Sequence, residues 1–285
     1  MVAPASGQPI RLAAITDEFS PDIDVALDAM RSVGMTGVEL RTVGGRNVVD
    51  LSDSEIAKIA AAVTVRGMEI VSIASPLLKC VLPDAPPVDT RFQQDVFGSP
   101  FTFDDQPRLT SRVFEIARLT TARIVRVFSY WRTIDPPRCE ERIVVALQAL
   151  AEQASTRGVT IGLENRYHYH EYPDPDEMAV LLADYPPEVA GFWLDVGHGE
   201  VLDRLGFLPH TRWLDELAER CVGTHVHDVD GLADHRAPGF GTADWPHYAL
   251  KLPPHIPRVN EINQRQDEER VGGAIAYLHK VGAIP

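Results

Sequence analysis

A closed (β/α)8 barrel is the fold class predicted for this 285-residue chain. Three observations predict it. Short β-type runs alternate with longer helix-type runs from end to end, the pattern of a parallel sheet. Eight such units fit within about 250 residues, which suits one closed barrel better than an open doubly wound sheet. The glycine fingerprints of nucleotide-binding open sheets are missing: no GxGxxG follows the first strand and no GxxxxGK[ST] occurs anywhere.

The elements follow in order. "RLAAIT" (11–16) reads as a strand, and "DIDVALDAMRSVG" (22–34) has apolar residues at helical spacing and closes on Gly34. "GVELRT" (37–42) is the second strand. "SDSEIAKIAAAVTVRG" (52–67) is a helix with a Ser/Glu capping pattern and a terminal glycine. "EIVSIAS" (69–75) is the third strand. Residues 76–106, rich in Pro, Asp and Phe, break the pattern; a long irregular stretch of this kind is usually functional, often a lid. Helices over 108–120, 138–158 and 175–185 then alternate with strands "RIVRVFS" (123–129), "TIGLEN" (160–165) and "VAGFWLDV" (189–196). A broken helical region (199–220) leads into the strand "CVGTHVHDV" (221–229). A short helix (244–252), the strand "RVNEIN" (258–263) and a last helix (267–282) complete the eighth unit. Residues 1–9 read as a flexible leader and 10–285 as the barrel.

Composition narrows the function. The chain is 45% hydrophobic and 24% charged, ordinary for a soluble globular protein. No apolar run approaches the roughly 20 residues needed to cross a bilayer, and the N-terminus lacks the basic start and apolar stretch of a secretory signal. No membrane partner is expected. The net charge of −14 opposes a phosphate backbone, so no nucleic-acid partner is expected either. Cys80, Cys139 and Cys221 are far apart and odd in number. They form no disulfide framework and no CxxC metal pair, which points to a cytoplasmic home.

In a barrel of this kind the active site lies at the C-terminal ends of the strands. Strand five ends in Glu164 and Asn165. Strand six ends in Asp195, with His198 three residues on. Strand seven carries His225, His227 and Asp228, and strand eight Glu261 and Asn263. Any one of these residues alone is more often a salt-bridged or core group. Four neighbouring strands offering carboxylate or imidazole at one rim are harder to explain structurally. Facing carboxylates repel unless a cation or protons compensate. Three carboxylates and one imidazole suit Mn2+, Mg2+ or Co2+, whereas Zn2+ usually takes more His or Cys. One divalent metal, Mn2+ first, is therefore expected. His225 and His227 stand at i and i+2, so both face the same side: one can ligate while the other binds substrate or a supporting carboxylate.

These residues carry a resemblance. "LEN", "DVGH", "HVHD" followed by "HRAPGFGTADW", and "NEIN" resemble the sugar phosphate isomerase/epimerase family, within the xylose isomerase-like TIM-barrel superfamily. The early stretches "ITDEFSPDIDVALDAMRSVGMTGVELR" and "SIASPLLKC" resemble one of its bacterial branches, so the likeness covers nearly the whole chain. The resemblance implies that Glu164, Asp195, His225 and Glu261 bind one divalent metal. It implies that His198 binds substrate, and that His235 stands where the endonuclease branch has a further metal ligand. The chain departs from the family in two places. After Glu164 it runs "NRYHYHEY", so His168 and His170 either take the place of a second substrate-binding Glu or belong to a surface loop. Strands two and three lack the histidines of the endonuclease branch, which argues against DNA repair.

The implied chemistry is proton movement next to a carbonyl, with Glu164 and Glu261 as metal ligands and acid/base pair. The expected function is a metal-dependent isomerase or epimerase of a keto sugar or related polyol. A lyase or dehydratase acting on an inosose or 3-keto-glycoside through the same site is the alternative, and a non-catalytic sugar-binding barrel is the reading from another class. Lys79, Arg126, His168, His198, His227 and His235 are the expected substrate-binding residues. A solvated or salt-bridged role is favoured for Glu39. Trp131, Phe101 and Phe103 are candidates to stack on a sugar ring. No Arg/Lys pair at strands seven and eight announces a phosphate, so an unphosphorylated substrate is favoured. A homo-oligomer is compatible with the fold.

Overall fold

The computed structural model describes residues 12–88, 99–135, 137–166, 174–262 and 268–284. The expected leader over 1–9 and the middle of the long loop, 89–98, lie outside the described residues. Eight parallel strands close into a barrel in chain order. They are β1 (Leu12–Ile15), β2 (Gly37–Leu40), β3 (Glu69–Ala74), β4 (Ile124–Val127), β5 (Thr160–Glu164), β6 (Ala190–Asp195), β7 (Cys221–Val226) and β8 (Arg258–Asn260). The pairing of Leu12, Ala13 and Ala14 with Arg258, Val259 and Asn260 closes the ring.

The helices between them start where the sequence supplies caps. The Asp22 carboxylate accepts from the Asp24 and Val25 amides ahead of α1 (Ile23–Ser32). Ser52 and Glu55 form a capping box at α2 (Asp53–Val65), and, after α3 (Gln106–Thr120) and α4 (Pro137–Ser155), Asp174 with Glu177 forms one at α5 (Pro175–Leu182). Such a cap satisfies amides that the first turn leaves without partners. Alternation inside each strand sorts side chains into two layers. Residues such as Val38, Leu40, Ile70, Ile73, Val125, Val127, Ile161 and Leu163 face the helices and form the larger core. Ala13, Ile15, Val71, Trp193 and Val259, with Ile124 packed against them, fill the barrel interior.

Trp193 is the floor of the barrel. Its indole is fully buried and removes on the order of 200 Å2 from water, worth roughly 5 kcal/mol at about 25 cal/mol per Å2. Glycine makes room for it. A Cβ at Gly223 would stand 2.2 Å from Trp193 Cζ3, and one at Gly162 would stand 3.1 Å from its Cε3.

The structure departs from the expected boundaries at two places that matter. Strand β7 ends at Val226, not 229. The chain then folds into an antiparallel ribbon, Asp228–Asp230 against Ala233–Arg236. The broken helical region resolves into α6 (Val196–Arg204) and α7 (Thr211–Leu217). Helix α6 follows β6 without a loop because Asp195 is its cap, accepting from the His198 amide. Among the described residues no helix is long and apolar enough to cross a membrane.

Candidate metal centre and active site

Inward parity places Glu39 and Arg41 on or just past β2, Arg126 on β4, Glu164 on β5, Asp195 on β6, His225 on β7 and Glu261 just past β8 above the Trp193 floor. Glu164, Asp195, His225 and Glu261 each offer one ligand atom, and these atoms lie within 4.8 Å of one another. All four side chains are buried. His225 Nδ1 lies 2.8 Å from Glu261 Oε2, 3.5 Å from Glu164 Oε1 and 3.6 Å from Asp195 Oδ2. One nitrogen thus faces three carboxylates.

The donor set fits a divalent cation. Among the described residues, His225 Nδ1 and Asp195 Oδ2 are buried without a well-aligned hydrogen bond. Orphaned atoms of this kind are costly unless something charged lies between them. His225 Nε2–H donates to Glu39 Oε2 at 2.7 Å, with both side chains fully buried. That hydrogen bond turns Nδ1 toward the carboxylates. Burial alone would depress the His225 imidazole, but Glu261 and Glu39, then Asp195 and Glu164, hold it well above its ordinary value. A proton on Nδ1 and a divalent cation are alternatives for the same position.

Each carboxylate has its own support. Burial favours the neutral form of Glu164, but Arg126, with His225 and His198, outweighs it and keeps the group below its ordinary value. Arg126 Nε lies 3.2 Å from Glu164 Oε2, and Arg126 also donates to the Ser75 carbonyl. Asp195 is likewise buried yet held well below its ordinary value by His198 and His227. Asn165 clamps the Asp195 backbone on both sides, donating to its carbonyl and accepting from its amide. Glu261 is held well below its ordinary value, against burial, by His225, His235 and Arg41. Arg41 donates to Glu261 Oε1 at 2.9 Å while also binding Asp17 and Glu18.

The other expected residues divide. His198 stands at the rim, donating from Nδ1 to the Asn165 carbonyl at 2.9 Å. Burial pushes its imidazole down, and the positive field of Arg166 adds to that against Asp195 and Glu164. His227 is fully buried. Its Nδ1 accepts from the His235 amide at 2.8 Å, which leaves Nε2–H to donate to Asp195 Oδ1 at 2.8 Å. The ring therefore supports a carboxylate. The fit is close enough that a Cβ at Gly197, in "DVGH", would stand 2.1 Å from His227 Cε1.

His235 stacks on His227 at 4.3 Å, and its Nε2 lies 3.8 Å from Glu261 Oε1. Burial opposes its charge, but Asp234 at 2.9 Å and Glu261 raise it to about 9. His198, Asp234 and His235 also offer three ligand atoms within 4.8 Å of one another. Lys79 lies 5.3 Å from the Phe128 ring centroid. Phe103 tilts against Tyr130 at 6.1 Å, and Arg108 lies 5.8 Å from the Phe101 ring. His168 and His170 lie outside the described residues.

Several functional contacts were not expected. Glu39 is fully buried and paired with His225, the salt-bridged rather than the solvated form of its expected role, though with a partner that was not expected; its signal was a charge at inward parity in an otherwise apolar strand. Asp234 and Arg166 had no motif, and Asn165 stood in "LEN" without an assigned role. Asp228 accepts from the Val229, Gly239 and Ala243 amides and from Trp245 Nε1, and so knits the loop that presents His235.

Comparison with known proteins agrees with the barrel fold. The family model for the xylose isomerase-like TIM barrel matches residues 27–255. A search of curated proteins returns no match. Among solved structures, a xylose isomerase-like TIM barrel/4-hydroxyphenylpyruvate dioxygenase fusion protein is similar at TM-score 0.71 and 16% identity; the match covers 96% of this chain but only 43% of that one. D-psicose 3-epimerase from Clostridium cellulolyticum H10 is similar at TM-score 0.71 and 12% identity, covering 96% of this chain and 99% of that one. A 3-keto-D-glucoside 4-epimerase from E. coli is similar at TM-score 0.66 and 14% identity, covering 95% and 99%. At these identities the likeness is one of fold.

Proposed function

The chain belongs to the xylose isomerase-like TIM-barrel family, and from that premise we propose that it is a divalent-metal-dependent isomerase or epimerase of a keto sugar. The observation that carries this reading is the buried quartet of Glu164, Asp195, His225 and Glu261, whose ligand atoms lie within 4.8 Å of one another. The solved sugar epimerases among its structural neighbours support it. A bound divalent ion, Mn2+ by the oxygen-rich donor set, would polarise a ketone and its neighbouring hydroxyl and so acidify the adjoining C–H.

The chain's own residues do the rest. Glu164 and Glu261 project from β5 and from the end of β8, on opposite sides of the cluster. Both are held ionised, so either can accept the proton. Arg41 fixes Glu261 through Oε1, and Arg126 flanks Glu164, so the two carboxylates keep separate orientations. Removal of a proton by one, and delivery on the opposite face by the other once it has itself taken up a proton from solvent, gives an epimer. Redelivery at the neighbouring carbon gives an aldose–ketose isomer. The Trp193 floor keeps water from below. His198 Nε2 and the His235 imidazolium stand at the rim as hydrogen-bonding groups for substrate oxygens.

One observation favours a second reading. A rim imidazolium held at about 9, beside Glu261, is an acid that can protonate a departing hydroxyl. The same proton abstraction would then end in elimination, as in a dehydratase. Buried free thiols at Cys80 and Cys221 fit a reducing cytoplasm.

The test is incubation with keto sugars in D2O, with the protein chelated and then reloaded with Mn2+. Metal-dependent deuterium uptake at a carbon beside the carbonyl, without other mass change, is expected for the isomerase. Loss of water identifies the lyase. Absence of exchange, with Glu164→Gln and Glu261→Gln indistinguishable from wild type, would leave only a sugar-binding barrel.

A further inference from the structure

The face of the barrel opposite the metal quartet carries a cavity of about 540 Å3. It lies where α3 and α4 run back into β4 and β5, at the N-terminal ends of those strands. That face of a barrel ordinarily serves stability, yet a cavity of this size is in the range that takes small molecules. Its floor is apolar: Phe114, Ala117, Ala122 and Val159 are all buried. Its mouth is cationic, with Arg118, Arg123 and Arg157 around it.

Charge is not balanced there. Arg118 is committed to Glu115, at 2.9 and 2.6 Å. Arg157 donates to the Gln153 carbonyl and the Thr156 hydroxyl and lies 5.2 Å from the Phe114 centroid, but it meets no carboxylate among the described residues. The Arg123 guanidinium has no hydrogen-bond or ion-pair partner among the described residues. In a chain with 41 acidic and 27 basic residues, two arginines without a carboxylate at one cavity are out of character. Helix C-termini favour cations, which accounts for Arg118 and Arg157. Arg123 stands past the helix, on the turn into β4. The backbone marks the same spot. Helices α1, α2, α4 and α6 each run on into a left-handed glycine, at Gly34, Gly67, Gly158 and Gly206. At α3 the left-handed residue is Thr121, with φ 57°. A β-branched residue is disfavoured there and glycine is not. What threonine adds is a hydroxyl at the cavity.

We propose that this cavity is a ligand site separate from the metal centre and that it takes an organic phosphate. The phosphate of a monoester meets Arg123, Arg157 and the Thr121 hydroxyl, and its organic body lies over the Phe114 floor. Charge selects phosphate over carboxylate. A phosphate monoester carries about −1.5 to −2 near pH 7, the complement of two unpaired arginines, whereas one carboxylate leaves a positive charge over. Guanidinium groups also present the fork that grips phosphate oxygens in pairs. Occupancy ties the α3–β4 turn to the α4–β5 turn, at the feet of the strands that carry Arg126 and Glu164. The site is thus placed to sense a phosphorylated metabolite, and its existence does not depend on the reaction at the quartet.

Phenyl phosphate, benzoate and inorganic phosphate form the test: a ring with a phosphate, a ring with a carboxylate, and a phosphate without a ring. Each is titrated by calorimetry into the Mn2+-loaded protein at about 0.15 M ionic strength. Phenyl phosphate is expected to bind at least fivefold more tightly than benzoate and at least threefold more tightly than inorganic phosphate. Arg123→Gln and Arg157→Gln should each weaken phenyl phosphate at least fivefold, with Mn2+ affinity unchanged. Thr121→Gly should also weaken it while melting no lower than wild type, because glycine suits the left-handed turn; a threonine with a purely structural role would leave the affinity alone. Absence of binding, or wild-type affinity in both arginine variants, overturns the proposal, and the second result would place the probe on the metal instead. Benzoate bound as tightly as phenyl phosphate overturns the choice of phosphate. Inorganic phosphate bound as tightly overturns the organic body.

Discussion

Glu39 gives the most informative perturbation, because it touches no expected ligand position except His225. Its Oε2 accepts from His225 Nε2 at 2.7 Å, and neither side chain is exposed. A charge-assisted hydrogen bond of this length in a dry site is worth about 1.5–3 kcal/mol. Its structural effect is to fix the tautomer and aim Nδ1 at the three carboxylates. Losing such a partner costs roughly 10–100-fold in metal affinity, about 1.4–2.8 kcal/mol at 1.4 kcal/mol per tenfold. Glu39→Gln keeps an acceptor oxygen and drops the charge, so a loss near tenfold is expected. Glu39→Ala leaves the Nε2–H buried without a partner, so the loss should approach 100-fold. Free Mn2+ followed by electron paramagnetic resonance during titration at pH 7.5 measures both. Wild-type Mn2+ affinity, within threefold, in a folded Glu39→Ala protein would refute the reasoning.

Other consequences follow from the same structure. Gly223→Ala would drive a methyl to within 2.2 Å of Trp193. Overpacking of this kind costs about 1–3 kcal/mol, so a melting temperature lower by several degrees is expected in calorimetry, and an unchanged one would contradict the assigned floor. Asp228→Ala removes the acceptor of three amides and one indole. At roughly 1–3 kcal/mol for each buried donor left unpaired, it should strongly destabilise the fold and speed hydrogen exchange over 229–245 first. Burial opposes charge on His210, but Asp203 and Glu200 raise it, while Asp203, against burial, is lowered by His210. The histidine's contribution is complete below about pH 6.5 and fades as pH climbs through its raised value; that of Asp203 is present above about pH 4 and fades on acidification. His210→Gln should therefore lose more stability at pH 6 than at pH 9, read from denaturant midpoints. Chelation should lower the melting temperature, since a ligand at 100 times its Kd adds about 2.7 kcal/mol.

Much of the site can be read from the chain because strand ends and side-chain parity are local properties. Glu164, Asp195, His225 and Glu261 each stand at the end of a strand bounded by clear helix signals, and period-two alternation sends all four inward. The same parity runs through Gly37, Glu39 and Arg41. A buried charge in an apolar strand was thus visible, but its partner on β7, 186 residues away, was not. The role of His227 depends on the ribbon over 228–236, which folds back to place the His235 amide on its Nδ1. Nothing local distinguishes that histidine from His225. The gathering of Lys79, Arg126 and Arg166 around Phe128 is less legible still, because the three lie on separate turns of the barrel.

Anomalous diffraction from crystals soaked in Mn2+ and recorded at the manganese edge tests the central claim most directly. One peak is predicted, bonded by His225 Nδ1 and by oxygens of Glu164, Asp195 and Glu261. A protein whose only peak lies at His198, Asp234 and His235, or which binds no Mn2+ at millimolar concentration, would contradict the account.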